Sequence, residues 1–180
     1  LEQAGQNANL QGAYWMVLMV SRRFEEAERL VRDLMADFGD QLPPALQRNF
    51  NFQLGMIAMA RKDFPAAREF LTSAIGERDG SAWSNNEIMI MTLAAMVHQR
   101  LGEADESQAL LERAERRIRR ARLNGVDDPN IYYAEGVLLS MRSEFEAAMA
   151  KLNMAYERGF REKWVIEIDG RLDPLRDHPD

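Results

Sequence analysis

The chain of 180 residues contains no cysteine and only two histidines, His98 and His178. Without thiols there is no disulfide frame, no thiolate metal site and no cysteine nucleophile. Two isolated histidines do not make a multi-histidine metal cluster. No run approaches ~18 uninterrupted apolar residues, so this segment holds no membrane span. An excess of positive charge is also missing: Lys+Arg 23 against Asp+Glu 29 leaves −6, the opposite of the basic footprint that nucleic-acid binding needs. Glycine-rich phosphate loops, a Ser-His-Asp set and metal-ligand spacings are absent from the sequence. The sequence opens at Leu1 with neither an initiator methionine nor a charged-then-apolar signal block. It reads as an excised segment, with cytoplasmic and periplasmic locations both open. What is present is 46% apolar and 29% charged residues, ordinary globular composition and too apolar for a disordered chain. At roughly 150 residues per domain, the length suits one domain or a short array of repeats.

Self-similarity decides between these. Phe24-Glu-Glu-Ala27, Phe64-Pro-Ala-Ala67, Ala104-Asp-Glu-Ser107 and Phe145-Glu-Ala-Ala148 align, and their small residues Ala27, Ala67, Ser107 and Ala148 stand 40, 40 and 41 apart. Four residues after each comes Val31, Leu71, Leu111 or Leu152, and seven after each comes Leu34, Ala74, Ala114 or Ala155. Twelve before them stand Trp15, Gly55, Ala95 and Gly136. Steps of three, four and seven put such residues on one helical stripe. A small residue at its centre admits a neighbouring helix closely. Gly55 and Gly136 sit inside helical patterns, where glycine costs ~1 kcal/mol relative to Ala, which points to close backbone approach.

The six prolines fall where helices begin or end. Asp63 and Asp128 suit N-caps ahead of Pro65 and Pro129, while Gly39, Gly80, Gly125 and Gly159 suit helix ends. The pattern predicts helix pairs over 8–22 and 24–38, 46–61 and 64–77, 84–101 and 103–123, and 130–142 and 145–158. A short helix near 161–168 and an irregular tail follow. No stretch alternates with the period of a strand, so the expected fold is all-α. It is one domain over 1–180, a right-handed solenoid of repeats near 8–40, 46–80, 84–125 and 129–160, with a cap at 161–180. Such an array exposes an apolar stripe at its ends. Trp164, Val165, Ile168, Leu172 and Leu175 are therefore expected to fold back on the last helix pair.

Small and aromatic positions at these offsets in paired helices resemble the tetratricopeptide repeat, over nearly the whole chain. Repeats two and four carry the resemblance best, through Gly55, Phe64, Ala67, Leu71 and Ala74, and Gly136, Phe145, Ala148, Leu152 and Ala155. Repeat three departs with Ala95, Ala104 and Ser107, and repeat one with Trp15. The period of 40 to 41 exceeds the family's usual ~34. The tail Asp169-Gly170-Arg171-Leu172-Asp173-Pro174-Leu175-Arg176-Asp177-His178-Pro179 is similar to a segment ending the C-terminal tetratricopeptide arrays of bacterial signalling proteins. These include membrane-bound winged-helix transcriptional regulators and class III nucleotide cyclases. The resemblance implies a non-enzymatic module that holds a peptide or protein partner on a concave face.

Nothing in the sequence reads as catalytic, and no cofactor is implied. Asp127–Asp128 before Pro129 suits turn and cap chemistry. His98, late in its helix, suits packing, and His178 a solvated tail. Arg113, Arg116, Arg117, Arg119, Arg120 and Arg122 read as a solvated face, with Glu112–Arg116 and Glu115–Arg119 in the favourable i,i+4 order. Of the eleven methionines, eight fall on the first helices of the pairs: Met16, Met19, Met56, Met59, Met89, Met91, Met96 and Met141. Met16, Met56, Met96 and Val137 are equivalent, as are Met19, Met59, Gln99 and Ser140. The resemblance places these positions on the concave face. The candidate partner-binding set is Met16, Met19, Met56, Met59, Met89, Met96, Tyr133 and Val137. Polarizable, unbranched methionine suits an apolar or amphipathic segment without demanding one sequence, although methionines filling core gaps would give the same pattern. A chaperone-tail partner, gripped elsewhere in the family by Lys, Arg and Asn, is disfavoured. The other readings are a sensory module of a larger signalling or transcriptional regulator and a structural self-association module, a homodimer in its simplest form.

Overall fold

A computed structural model describes residues 2–76, 84–161, 166 and 169–176. Among them every regular element is helical and no strand occurs, so the chain is all-α. In order, α1 is Glu2–Val20, α2 Phe24–Phe38, α3 Pro44–Ala60, α4 Phe64–Ala74, α5 Asn85–Arg100, α6 Ala104–Leu123, α7 Pro129–Met141, α8 Phe145–Glu157 and α9 Asp173–Arg176. Two 3-10 turns, Gly39–Gln41 and Gly170–Leu172, complete the set. The chain divides into two compact units, 1–74 and 75–180.

The predicted punctuation acts as expected at most ends. Asp63 accepts the Ala66 amide at 3.2 Å, and Asp128 that of Asn130 at 2.8 Å. Pro44 and Pro129 open α3 and α7, where no amide donor is needed. Gly39, Gly125 and Gly159 take positive φ just past α2, α6 and α8. Gly80, Trp164, Val165, Ile168 and His178 lie outside the described residues.

One turn recurs four times. Arg22, Lys62, Gly102 and Ser143 all have positive φ, between 57° and 78°. The residue after each returns its amide to a carbonyl five residues back: Arg23 to Leu18, Asp63 to Ala58, Glu103 to His98 and Glu144 to Leu139, each at 2.9 Å. This left-handed closure satisfies helix-end carbonyls and turns the chain into its next helix. A non-glycine residue in the left-handed region is strained. Lys62→Gly and Ser143→Gly should therefore each stabilise the chain by roughly 0.5–1 kcal/mol, read from urea midpoints at unchanged slope.

In unit 1, α3 packs on α4, α2 on α3 and α1 on α2. Its core joins Trp15, Leu18, Ala27, Val31, Phe50, Leu54 and Ile57. In unit 2, α5 packs on α6 and α7, and α7 on α8. Ala27, Ala67 and Ala148 are fully buried and Ser107 nearly so. The helical glycines have a clear partner. A Cβ on Gly55 would lie 2.8 Å from Leu71 Cγ, and one on Gly136 2.8 Å from Leu152 Cγ. Each glycine admits the aliphatic residue of the following helix. Ala95 and Leu111 share a core cluster, and the bulkier Trp15 shares one with the smaller Val31.

Candidate functional site

The eight methionine-face positions fall into two groups. In unit 1, Met16 is half exposed, Met59 is half-buried, and Met19 and Met56 pack one edge against the core cluster. Tyr14, Val17 and Val20 on the same α1 helix are also exposed. In unit 2 the corresponding face is covered by the chain itself. Tyr133 and Val137 are 6% and 1% exposed, enclosed with Met141, Leu152, Phe160 and Leu172. Met89 is half-buried, and Met96 and Leu175 pack on the edge of that cluster. As expected, Leu172 and Leu175 fold back on α7. The tail segment also reaches α5.

A buried polar network fixes this segment. Arg171 holds Asp169 through Nε to Oδ1 at 2.8 Å and through a terminal nitrogen to Oδ2 at 2.5 Å. Its other terminal nitrogen donates to Thr92 Oγ1 at 2.6 Å, and that hydroxyl donates onward to the Ile88 carbonyl at 3.0 Å. The Tyr133 hydroxyl donates to Asp169 Oδ2 at 2.5 Å, and Ser140 Oγ to the Arg171 carbonyl at 3.3 Å. Burial pushes the Asp169 carboxyl up, but the Arg171 guanidinium overcomes this and holds it below its ordinary value. Burial and the adjacent Asp169 charge push the Tyr133 phenol up, so it stays a neutral donor. Tyr133 also stacks on Phe160 with ring centroids 4.6 Å apart.

Thr92 and Tyr133 occupy the same place in their repeats, fifteen residues before Ser107 and Ala148. Met96 and Val137 share the next place, and Gln99 and Ser140 the one after. The tail lies against a face made of these positions. Their unit 1 equivalents are Gly12 and Phe52, Met16 and Met56, and Met19 and Met59. None of these six is fully buried.

The arginine strip is less solvated than its sequence suggests. Glu115–Arg119 and Glu112–Arg116 form the expected i,i+4 pairs, at 2.9 and 3.8 Å. Arg117 is half-buried against Glu87 of α5, and Arg113 donates to the Gly76 carbonyl. Arg122 bonds Glu135 of α7 through two nitrogens, at 2.6 and 2.8 Å. It also lies over the Tyr132 ring, 4.3 Å from its centroid, with Arg158 at 5.0 Å. Asp127 accepts from the Tyr132 hydroxyl at 3.0 Å and from Arg158. His98 is buried with Nδ1 2.6 Å from Glu103 Oε2, a structural pairing. Among the described residues, no group of three or more acidic, histidine or cysteine side chains is placed to hold a metal ion. No described helix is long and apolar enough to cross a membrane. No family model matches the chain, and comparison with curated proteins and with solved structures gave no match either.

Proposed function

We propose that the chain is a non-enzymatic interaction scaffold of the tetratricopeptide kind, whose first helices form a face that takes a short peptide segment of a protein partner. The observation that carries this reading is the tail. Residues 169–172, a short segment closed by a 3-10 turn, are seated on Thr92, Tyr133, Val137 and Ser140, held by hydrogen bonds and by Leu172. The chain thus supplies an example of the ligand its repeat positions accept. In unit 1 the equivalent positions carry four methionines, Phe52 and Gly12, none with a hydrogen-bonding side chain. Their partner is accordingly more apolar, and unbranched thioethers adapt to it by changing rotamer.

Peptides selected from a random displayed library against the full chain test the reading. Met16→Glu with Met59→Glu places two charges on the unit 1 face, at side chains outside the set that packs against the core. Binding of the selected peptides should weaken at least tenfold, about 1.4 kcal/mol, while the melting curve stays put. Equal binding to the double variant would sink the methionine face. A loss of several kcal/mol of stability would mean these residues are core, because buried charge is expensive.

A further inference from the structure

A second, differently built groove lies in unit 2 between α6, α7 and α8, away from the methionine positions. Two helical stripes of matching pattern form it. On α6 the stripe is Glu115, Ile118, Arg119 and Arg122, and on α7 it is Glu135, Leu138, Leu139 and Arg142. Each runs from a glutamate to an arginine seven residues on, and the two pair crosswise. Arg122 holds Glu135 at one end, and Arg142 holds Glu115 at 3.0 Å at the other. Ile118, Leu138 and Leu139 lie between the two pairs, and the open groove has a volume of about 250 Å³.

Each end also carries a surplus cation. Lys151 of α8 reaches Glu135 at 2.8 Å, and Arg119 reaches Glu115 at 2.9 Å. Four cations share two carboxylates, so the groove is net positive on a chain whose net charge is −6. The Arg142 Nε–H has no acceptor within the chain, so water or a bound ligand must supply one. Beyond Glu115, Arg119 and Arg142 the depression continues as a polar channel along Gln108, Glu112, Arg116 and Glu144. A chain can run through such a site, whereas a small molecule would leave the channel empty.

We infer that this groove binds a short acidic peptide in extended form, with one apolar side chain on Leu139, above the buried Ile118 and Leu138, and a carboxylate at each cationic end. The seven-residue stripes span about 10 Å. In an extended peptide, residues i, i+2 and i+4 share a face and cover about 13 Å, so Glu-x-Leu-x-Glu fits with its side chains directed inward. Carboxylates suit the site because guanidinium groups take them bidentately.

Fluorescence polarisation with labelled Ala-Glu-Ala-Leu-Ala-Glu-Ala and the full chain tests this. Saturable binding is expected, weakening as salt rises. The Gln-x-Leu-x-Gln and Glu-x-Ser-x-Glu peptides should each bind at least tenfold more weakly. Lys151→Gln and Arg119→Gln, both partly exposed and tolerable to the fold, should each weaken the acidic peptide three- to tenfold at unchanged melting temperature. Met16→Glu with Met59→Glu should leave this binding unchanged, which separates it from the methionine face. No saturable binding, or equal binding of the glutamine peptide, overturns the inference. Equal binding by both cation variants places any binding elsewhere and overturns it as well.

Discussion

Arg171→Ala is expected to lower the stability of unit 2 by about 3–5 kcal/mol, because it strands a buried carboxylate. Arg171 and Asp169 are 8% and 6% exposed at their side chains, so water cannot replace the lost guanidinium. Only two neutral donors, the Tyr133 hydroxyl and the backbone amide of residue 171, would face the charge. Thr92 would lose its donor, although its own hydroxyl keeps the Ile88 carbonyl. Urea unfolding followed by circular dichroism measures the loss, and its dependence on pH identifies the cause. In the wild type the folded Asp169 carboxyl lies below its ordinary value. Its contribution is therefore fully present above the unfolded carboxylate range, near ~3.9, and disappears as the pH falls through the lower folded value. In the variant, burial without Arg171 pushes the carboxyl up, and protonation relieves it. The gap between wild type and variant should narrow as pH falls from 7 toward 4. A gap independent of pH would mean that Arg171 acts through packing alone.

Leu71→Ala is expected to cost about 2–5 kcal/mol as a cavity in a fully buried site, with an informative partner in Gly55. Alone, Gly55→Ala gains up to ~1 kcal/mol of helix propensity, but its new Cβ falls 2.8 Å from Leu71 Cγ and Cδ2. Leu71 is 0% exposed and has nowhere to retreat, so overpacking wins and the single substitution destabilises. With Leu71 truncated, the same methyl group enters the vacated space. The double variant should lose less than the sum of the singles by about 0.5–3 kcal/mol. Gly136 and Leu152 repeat this geometry and should repeat the coupling. Strict additivity in both pairs would show that the glycines serve some other purpose.

That glycine–leucine pairing is the part of the fold that is most legible in the sequence. Steps of four and seven mark the buried stripe, a glycine twelve residues upstream marks the close approach, and prolines and caps mark the ends. The predicted helix pairs agree with the observed ones to within a few residues except at α1. That helix begins at Glu2, in a polar stretch with no apolar stripe to announce it. The positive-φ closures at Arg22, Lys62 and Ser143 had no glycine to reveal them. Of the candidate site, the methionine positions were visible by register. Their coverage was not, since Tyr133 and Val137 look the same in sequence whether solvent or the tail lies over them. The apolar tail residues suggested folding back. The polar ones, Asp169 and Arg171, carried no sign that they would be buried with Thr92 and Tyr133. Likewise Glu115–Arg119 is a local pattern, whereas Arg122–Glu135 and Arg142–Glu115 exist only after α6 and α7 have packed.

The bond between Thr92 and Arg171 joins residues 79 positions apart. During synthesis at 5–20 residues per second, roughly 4–16 s separate the two residues. Tyr133 and Val137 have no cover for the last part of that interval, roughly 2–8 s, while the residues of unit 1 have all been made. The two units therefore meet the ribosome and its chaperones differently: the first can close as it emerges, and the second waits, with an open apolar face, for the segment that completes it.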